Sequence, residues 1–228
     1  MKKHLPNFLT CCNLLCGCIG IISILEEWEI PVAYFVWAAG IFDFLDGFAA
    51  RMLRVTSPIG KELDSLADVV SFGVLPALVM YKLIGGATPS TILPYVALLI
   101  AMFSALRLAI FNIDTTQTDS FKGLNTPANT LFISSLPLIS GDVGPWLYEV
   151  PVLLVITIIL SLLLVSRIEF FAFKFRNFSW GDNQIRYIFL IVAVALLVGL
   201  QFVAIPLVIL LYIVLSLFNN ARTIRAKS

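Results

Sequence analysis

The chain has 228 residues, of which 60% are hydrophobic and 13% charged, well below the roughly 25% charged residues of a soluble globular domain. A formal net charge of +1 gives no basic face for nucleic acid, and a single histidine, His4, leaves nothing for an imidazole triad or a His-rich metal site. What survives these exclusions is an integral membrane protein.

Apolar runs predict eight membrane helices near 8–25, 30–50, 64–84, 92–112, 124–140, 146–166, 185–200 and 201–219. Each is close to the roughly 20 residues that cross about 30 Å of hydrocarbon. The first follows Lys2 and Lys3 as a secretory signal would, but Pro6, Asn7, Thr10 and Asn13 interrupt it, so it reads as a retained helix. Cys11, Cys12, Cys16 and Cys18 fall within it and read as small packing residues, not as a metal or disulfide set. Between the last two helices only Gly199 and Pro206 signal a turn, which leaves one long bent helix over 185–219 as an alternative. Uninterrupted runs such as VLLVITIILSLLLV lack the alternation of barrel strands, so the expected fold is an all-α polytopic membrane protein.

Charge predicts the orientation. With the N-terminus cytoplasmic, the inner segments carry Lys2, Lys3, Arg51, Arg54, Lys61, Arg107, Lys122, Arg167, Lys174, Arg176, Arg186, Arg222, Arg225 and Lys227, fourteen of the fifteen Lys and Arg. Only Lys82 lies outside, among Glu26, Glu27, Glu29, Asp142 and Glu149. Both termini are therefore expected in the cytoplasm. The longest hydrophilic connections, 51–63, 113–123 and 169–184, then share that face, where function is expected.

One of these connections sits inside FDFLDGFAARMLRVTSPIGKELDSLADVVSFG, residues 42–73. Asp43 and Asp46 are spaced i, i+3 at the end of one predicted helix, and Asp64 and Asp68 are spaced i, i+4 at the start of the next. Each pair shares a helix face, and the short loop makes the helices antiparallel neighbours whose faces converge. A carboxylate costs up to about 2.5–3.5 kcal/mol at the centre of a membrane helix, so four together need positive compensation. Arg51, Arg54 and Lys61 offer a salt-bridge network. Divalent cations do better, since hard oxygen ligands suit Mg²⁺ or Mn²⁺ and four carboxylates hold two ions. Gly47, Ala50 and Gly60 on or beside these faces leave room for a large ligand, for which a diphosphate is the natural candidate.

Asp43-x-x-Asp46-Gly47-x-x-Ala50-Arg51, eight residues, then Gly60-x-x-x-Asp64-x-x-x-Asp68 resembles in full the signature of the CDP-alcohol phosphatidyltransferases. LPNFLTCCNLLCG at 5–17, FKGLNTPAN at 121–129 and LLLVSRIEFFAFKF at 162–175 are similar to stretches of the prokaryotic, serine-using branch of that family. Two positions depart from that branch, Asn125 where proline is usual and Ile110 where arginine is usual.

The resemblance implies a membrane domain over residues 1–176, with additional C-terminal helices and a basic tail over 177–228. It implies that an alcohol displaces CMP from a CDP-linked lipid whose diphosphate rests on two divalent cations, Mg²⁺ or Mn²⁺. Asp43, Asp46, Asp64 and Asp68 would be the ligands, and Asp68 also the general base. Asn7, Thr10, Gly47, Ala50, Arg51, Ser57 and Gly60 match positions on or beside the CDP-lipid. For the acceptor, Arg107, Asn125, Thr126 and Arg167 are available, with helix-cap or topology roles as alternatives. The expected substrates are CDP-diacylglycerol and L-serine, the expected assembly a homodimer, and the expected place the cell membrane with the active site facing the cytoplasm. Glycerol 3-phosphate or an inositol phosphate are alternative acceptors. A secondary transporter with an ion site is the alternative of another class, against which stand the clustering at one face and the lack of a visible repeat.

Overall fold

Helix α1 (Leu5–Leu25) starts with Pro6 in its first turn, where a missing N–H has no partner to lose. The computed structural model describes residues 4–55, 57–114, 120–139, 144–171 and 179–227, apart from the side chains of residues 120, 121, 182 and 221–227. The topology charges Lys2, Lys3, Lys174 and Arg176, the acidic Asp142, and the side chains of Arg222, Arg225 and Lys227 lie outside the described residues.

Helix α2 (Val32–Leu53) packs along α1 and stops at Arg54, which takes a left-handed conformation (φ 52°, ψ 42°) with its N–H returned to the last turn. Ser57 then caps α3 (Pro58–Asp68): its hydroxyl accepts the Gly60 N–H at 3.3 Å, with Pro58 in the first turn. One π-helical turn (Val69–Val74) joins α3 to α4 (Leu75–Ala87). A 3₁₀ turn (Leu93–Ala97) leads into α5 (Leu98–Ile113). Helices α6 (Thr126–Ser135), α7 (Val150–Leu164), α8 (Trp180–Leu200) and α9 (Ala204–Lys227) follow.

The described chain is mostly helical, as expected. Five stretches are long and apolar enough to cross a membrane: Leu5–Leu25, Val32–Leu53, Pro58–Ala87, Leu93–Ile113 and Asn183–Asn220. The expected spans 124–140 and 146–166 take shorter forms. Their helices have 10 and 15 residues, about 15 and 22 Å at 1.5 Å per residue. The last stretch is not one bent helix: Gln201 (φ 49°, ψ −122°) breaks it, and Phe189 of α8 meets Tyr212 of α9 with ring centroids 6.0 Å apart. The two legs form an antiparallel hairpin, turning between the two signals Gly199 and Pro206.

Helix α1 turns its polar and small residues inward. The buried face of α1 is Pro6, Thr10, Asn13, Gly17, Gly20 and Ser23, while Leu5, Phe8, Leu15, Ile22 and Leu25 are exposed. Small residues let backbones approach closely, and an apolar exterior is what a bilayer solvates. A Cβ on Gly17 would collide with Ser71, and one on Gly20 would come 2.9 Å from Leu75. The four cysteines, all free, are exposed or half-buried on the outer sides of α1. In α6 the burial is nearly complete, eight of its ten residues, so it acts as a central post against α2, α4, α9 and the π turn.

The π turn has a local cause. Pro76 lacks the N–H that would bond the Phe72 carbonyl in a regular helix, and its ring clashes with that carbonyl. The Thr130 hydroxyl lies 2.8 Å from the freed Phe72 oxygen and 2.8 Å from the Thr126 carbonyl of its own helix, so its one proton is shared between the two acceptors.

A departure from an all-helical chain is a short antiparallel ribbon, β1 (Ser120–Lys122) with β2 (Glu169–Phe171), in the register Ser120 to Phe171, Phe121 to Phe170 and Lys122 to Glu169. It joins two connections that the charge pattern assigns to one side. Gly123 (φ 78°) follows β1 with its N–H on the Ile168 carbonyl at 2.9 Å, and a Cβ there would strike the Leu164 carbonyl.

Candidate active site

The second halves of α2 and α3 bring their acidic faces together against the first half of α1, since α3 starts at Pro58 and Asp68 is its last residue. One carboxylate oxygen each from Asp43, Asp64 and Asp68 lie within 4.8 Å of one another. Asp46 stands beside them within electrostatic reach of all three, and its Oδ2 accepts the Thr10 hydroxyl at 2.6 Å. Asn13, two polar positions along the same face of α1, donates its Nδ2 to Asp68 Oδ1 at 3.1 Å.

The salt-bridge alternative does not form. Among the described residues the ion pairs are Lys82–Glu27 at 3.0 Å and Lys122–Asp114 at 3.2 Å, and neither touches the four aspartates. Lys61 instead donates to the Asn112 carbonyl at 2.6 Å, and Asn112 Nδ2 donates to Ser65 Oγ at 2.8 Å, so these polar groups tie α3 to the end of α5. Asp64 Oδ1 is buried without a hydrogen-bond partner. Three converging carboxylates with an orphaned oxygen, and among the described residues no ion pair to any of them, fit a hard divalent cation.

A cavity of about 490 Å³ opens beside this cluster, lined by Pro6, Asn7, Thr10, Asp46, Gly47, Ala50, Val55, Ser57, Pro58, Gly60, Lys61 and Asp64. Six of the seven residues expected at the CDP-lipid line it. The seventh, Arg51, is exposed, and its guanidinium nitrogens lie 3.7 and 3.9 Å from where a Gly47 Cβ would stand. A Cβ on Gly60 would sit 3.1 Å from Asn7 Oδ1, a tight contact that the amide would have to relieve by shifting.

A second cavity of about 240 Å³ is lined by Arg107, Ile110, Phe111, Asp114, Lys122, Leu164, Val165, Ser166 and Arg167. Arg107 is 8% exposed, its Nε has no hydrogen-bond partner, and its guanidinium carbon lies 6.0 Å from the Phe111 ring centre. It also stands within electrostatic reach of Asp68, which links this cavity to the aspartates. Arg107 and Arg167 are thus brought together. Asn125 and Thr126 are not among the lining residues: Asn125 Oδ1 caps α6 by accepting the Ala128 N–H at 2.8 Å, and Thr126 is 1% exposed in the first turn.

Sequence reasoning missed Asn13, although its spacing from Thr10 and Pro6 traces one face of α1. It also missed Tyr212, buried beside Arg107 from α9, for which no local pattern exists.

Comparison with known proteins gives a consistent picture. A family model described as CDP-alcohol phosphatidyltransferase matches residues 3–141, which include all four aspartates. Three relatives carry the name CDP-diacylglycerol--serine O-phosphatidyltransferase. The one from Bacillus subtilis (strain 168) is 34% identical over 176 residues, 75% of this chain and 92% of its own. The one from Helicobacter pylori (strain J99 / ATCC 700824) is 38% identical over 130 residues, 56% of this chain and 54% of its own. The one from Mycobacterium leprae (strain TN) is 35% identical over 173 residues, 72% of this chain and 57% of its own, so the match spans little more than half of the last two.

Proposed function

Because the chain belongs to the CDP-alcohol phosphatidyltransferase family, we propose that it transfers a phosphatidyl group from CDP-diacylglycerol to L-serine, giving phosphatidylserine and CMP in phospholipid biosynthesis. The observation that carries this reading is the convergence of Asp43, Asp64 and Asp68 at the mouth of a cavity lined by the other signature residues.

Asp43, Asp46, Asp64 and Asp68 would hold two divalent cations, Mg²⁺ or Mn²⁺. When bound, such ions neutralise the diphosphate and acidify an attacking hydroxyl. Thr10 fixes Asp46 from outside the cluster. Gly47, Ala50 and Gly60 keep the cavity open to the nucleotide, and Asn7 and Ser57 supply polar edges to it. The fork of Arg51 beside Gly47 suits a phosphate oxygen.

Asp68 takes the proton of the serine hydroxyl. Its Oδ1 accepts from Asn13, which fixes the orientation of the carboxylate. The serine oxygen forms the new bond to the lipid-linked phosphorus, the bond to the CMP oxygen breaks, and the electron pair leaves with CMP. Arg107 and Arg167 receive the serine carboxylate in the second cavity, where Asp114 is paired with Lys122 at 3.2 Å. The preference for serine over a phosphorylated acceptor rests on the names of the relatives, since the lining gathers three cations, Arg107, Lys122 and Arg167.

In this reading residues 1–176 form the catalytic membrane domain and 177–228 an appended hairpin and tail. The chain crosses the cell membrane eight times as a homodimer, with both termini and the active site on the cytoplasmic side. Support comes from the basic bias of the inner segments and from the ribbon, which pairs two segments assigned to that side.

The test is CMP release from CDP-diacylglycerol by the purified protein, run separately with serine, glycerol 3-phosphate and inositol phosphate. Serine alone should support release. Release with either phosphorylated acceptor and not with serine overturns the assignment.

A further inference from the structure

The α8/α9 hairpin lies beyond the matched residues 3–141, yet it contacts β2, the strand that follows the Arg167 side of the second cavity. Tyr212 of α9 is 4% exposed, and its hydroxyl donates to the Phe171 carbonyl at 3.0 Å. Its ring packs against Phe171 and Phe170 with centroids 4.9 and 5.6 Å away, and Phe189 of α8 closes the group at 6.0 Å. Phe171 is the last residue of β2, the strand that follows Arg167 and pairs with the strand carrying Lys122. Arg167 and Lys122 both line the cavity. Tyr212 also stands within electrostatic reach of Arg107, whose buried Nε lacks a partner.

A ribbon of three residues per strand does not hold itself in water, where even a full two-stranded hairpin is marginal. It needs an external anchor, and the aromatic group around Tyr212 supplies one. We propose that Tyr212 is a positioning residue for this cavity: its hydroxyl pins β2, so that Arg167 and Lys122 close around Arg107, and the hairpin is thereby part of the acceptor site. The pinning stands on the geometry alone. Its effect on the acceptor rests on the reading of this cavity as the serine site.

The test uses the full chain in lipid nanodiscs and Tyr212→Phe, which keeps the ring and removes the hydroxyl. Hydrogen exchange at residues 120–124 and 166–171 should speed up in the variant, and the KM for serine should rise about fivefold to tenfold, the size of one lost hydrogen bond. The KM for CDP-diacylglycerol and kcat should stay within about twofold of wild type, as should every parameter of Val198→Ala, at a position 80% exposed on the outer side of α8. In wild type, serine itself should slow exchange in the same two segments, a measurement that needs no variant. Unchanged ribbon exchange in Tyr212→Phe overturns the pinning. A parallel loss for both substrates, or no protection by serine while serine supports CMP release, overturns the link to the acceptor. If the ribbon loosens in the variant and serine gives no CMP release even in wild type, the serine assignment fails and the pinning survives.

Discussion

The aspartate crossing and the cavity around Arg107 are neighbours built in opposite ways. The crossing comes from three successive helices and one tight loop, with Arg54 ending α2 and Ser57 starting α3 within four positions. The cavity draws on α5, the end of α7, the segment leading into β2, and β1, while Tyr212 of α9 bonds the end of β2. Chemistry that requires fixed spacing on a helix face leaves a compact trace along the chain. Chemistry assembled from distant segments leaves only scattered polar residues, each with an ordinary alternative role.

The comparison breaks first at the aspartates. Asp43→Asn, Asp64→Asn and Asp68→Asn should each lower CMP release by at least about 10²-fold, the range of general acid–base or metal-site losses, while the protein elutes as wild type on gel filtration. A variant of the second cavity should not match this. Arg107→Lys should raise the serine KM about tenfold by losing the planar fork, with little change for CDP-diacylglycerol. Steady-state kinetics with each substrate varied in turn separates the two, and equal losses for both substrates would merge regions that are distinct in this account.

Smaller effects sharpen the same contrast. Gly60→Ala presses on Asn7 Oδ1 and should raise the KM for CDP-diacylglycerol roughly fivefold without moving the serine KM, a mirror image of Arg107→Lys. Thr130→Val leaves the Phe72 carbonyl without its donor and should destabilise the chain by about 1–3 kcal/mol, read as a lower midpoint in detergent-mediated unfolding. Because Thr130 touches neither cavity, kcat/KM should change little at temperatures where the variant is folded.

Legibility followed the same divide. The helices, the inward aspartate faces, and the glycines and polar residues of the first cavity were readable from spacing and from the resemblance they carry. Asn125 was readable as a cap candidate, and its side chain does cap α6. The π turn was hidden because Pro76 reads as an ordinary helix interruption until Thr130, 54 positions on, supplies the donor. The ribbon was hidden because three-residue strands carry no periodicity. The turn at Gln201 falls between two weak signals, Gly199 and Pro206, and only the contact of Phe189 with Tyr212 identifies a hairpin.

The central claim is that the carboxylate cluster is a divalent metal site on which transfer depends. It is tested most directly by titrating the purified, chelator-treated protein with Mn²⁺ and following free ion by electron paramagnetic resonance, for wild type and Asp64→Asn, with CMP release assayed at each point. The account predicts that wild type takes up Mn²⁺ saturably and regains CMP release in step with uptake, and that Asp64→Asn does neither. Full CMP release from the chelated wild type, or equal Mn²⁺ uptake by the variant, would contradict it.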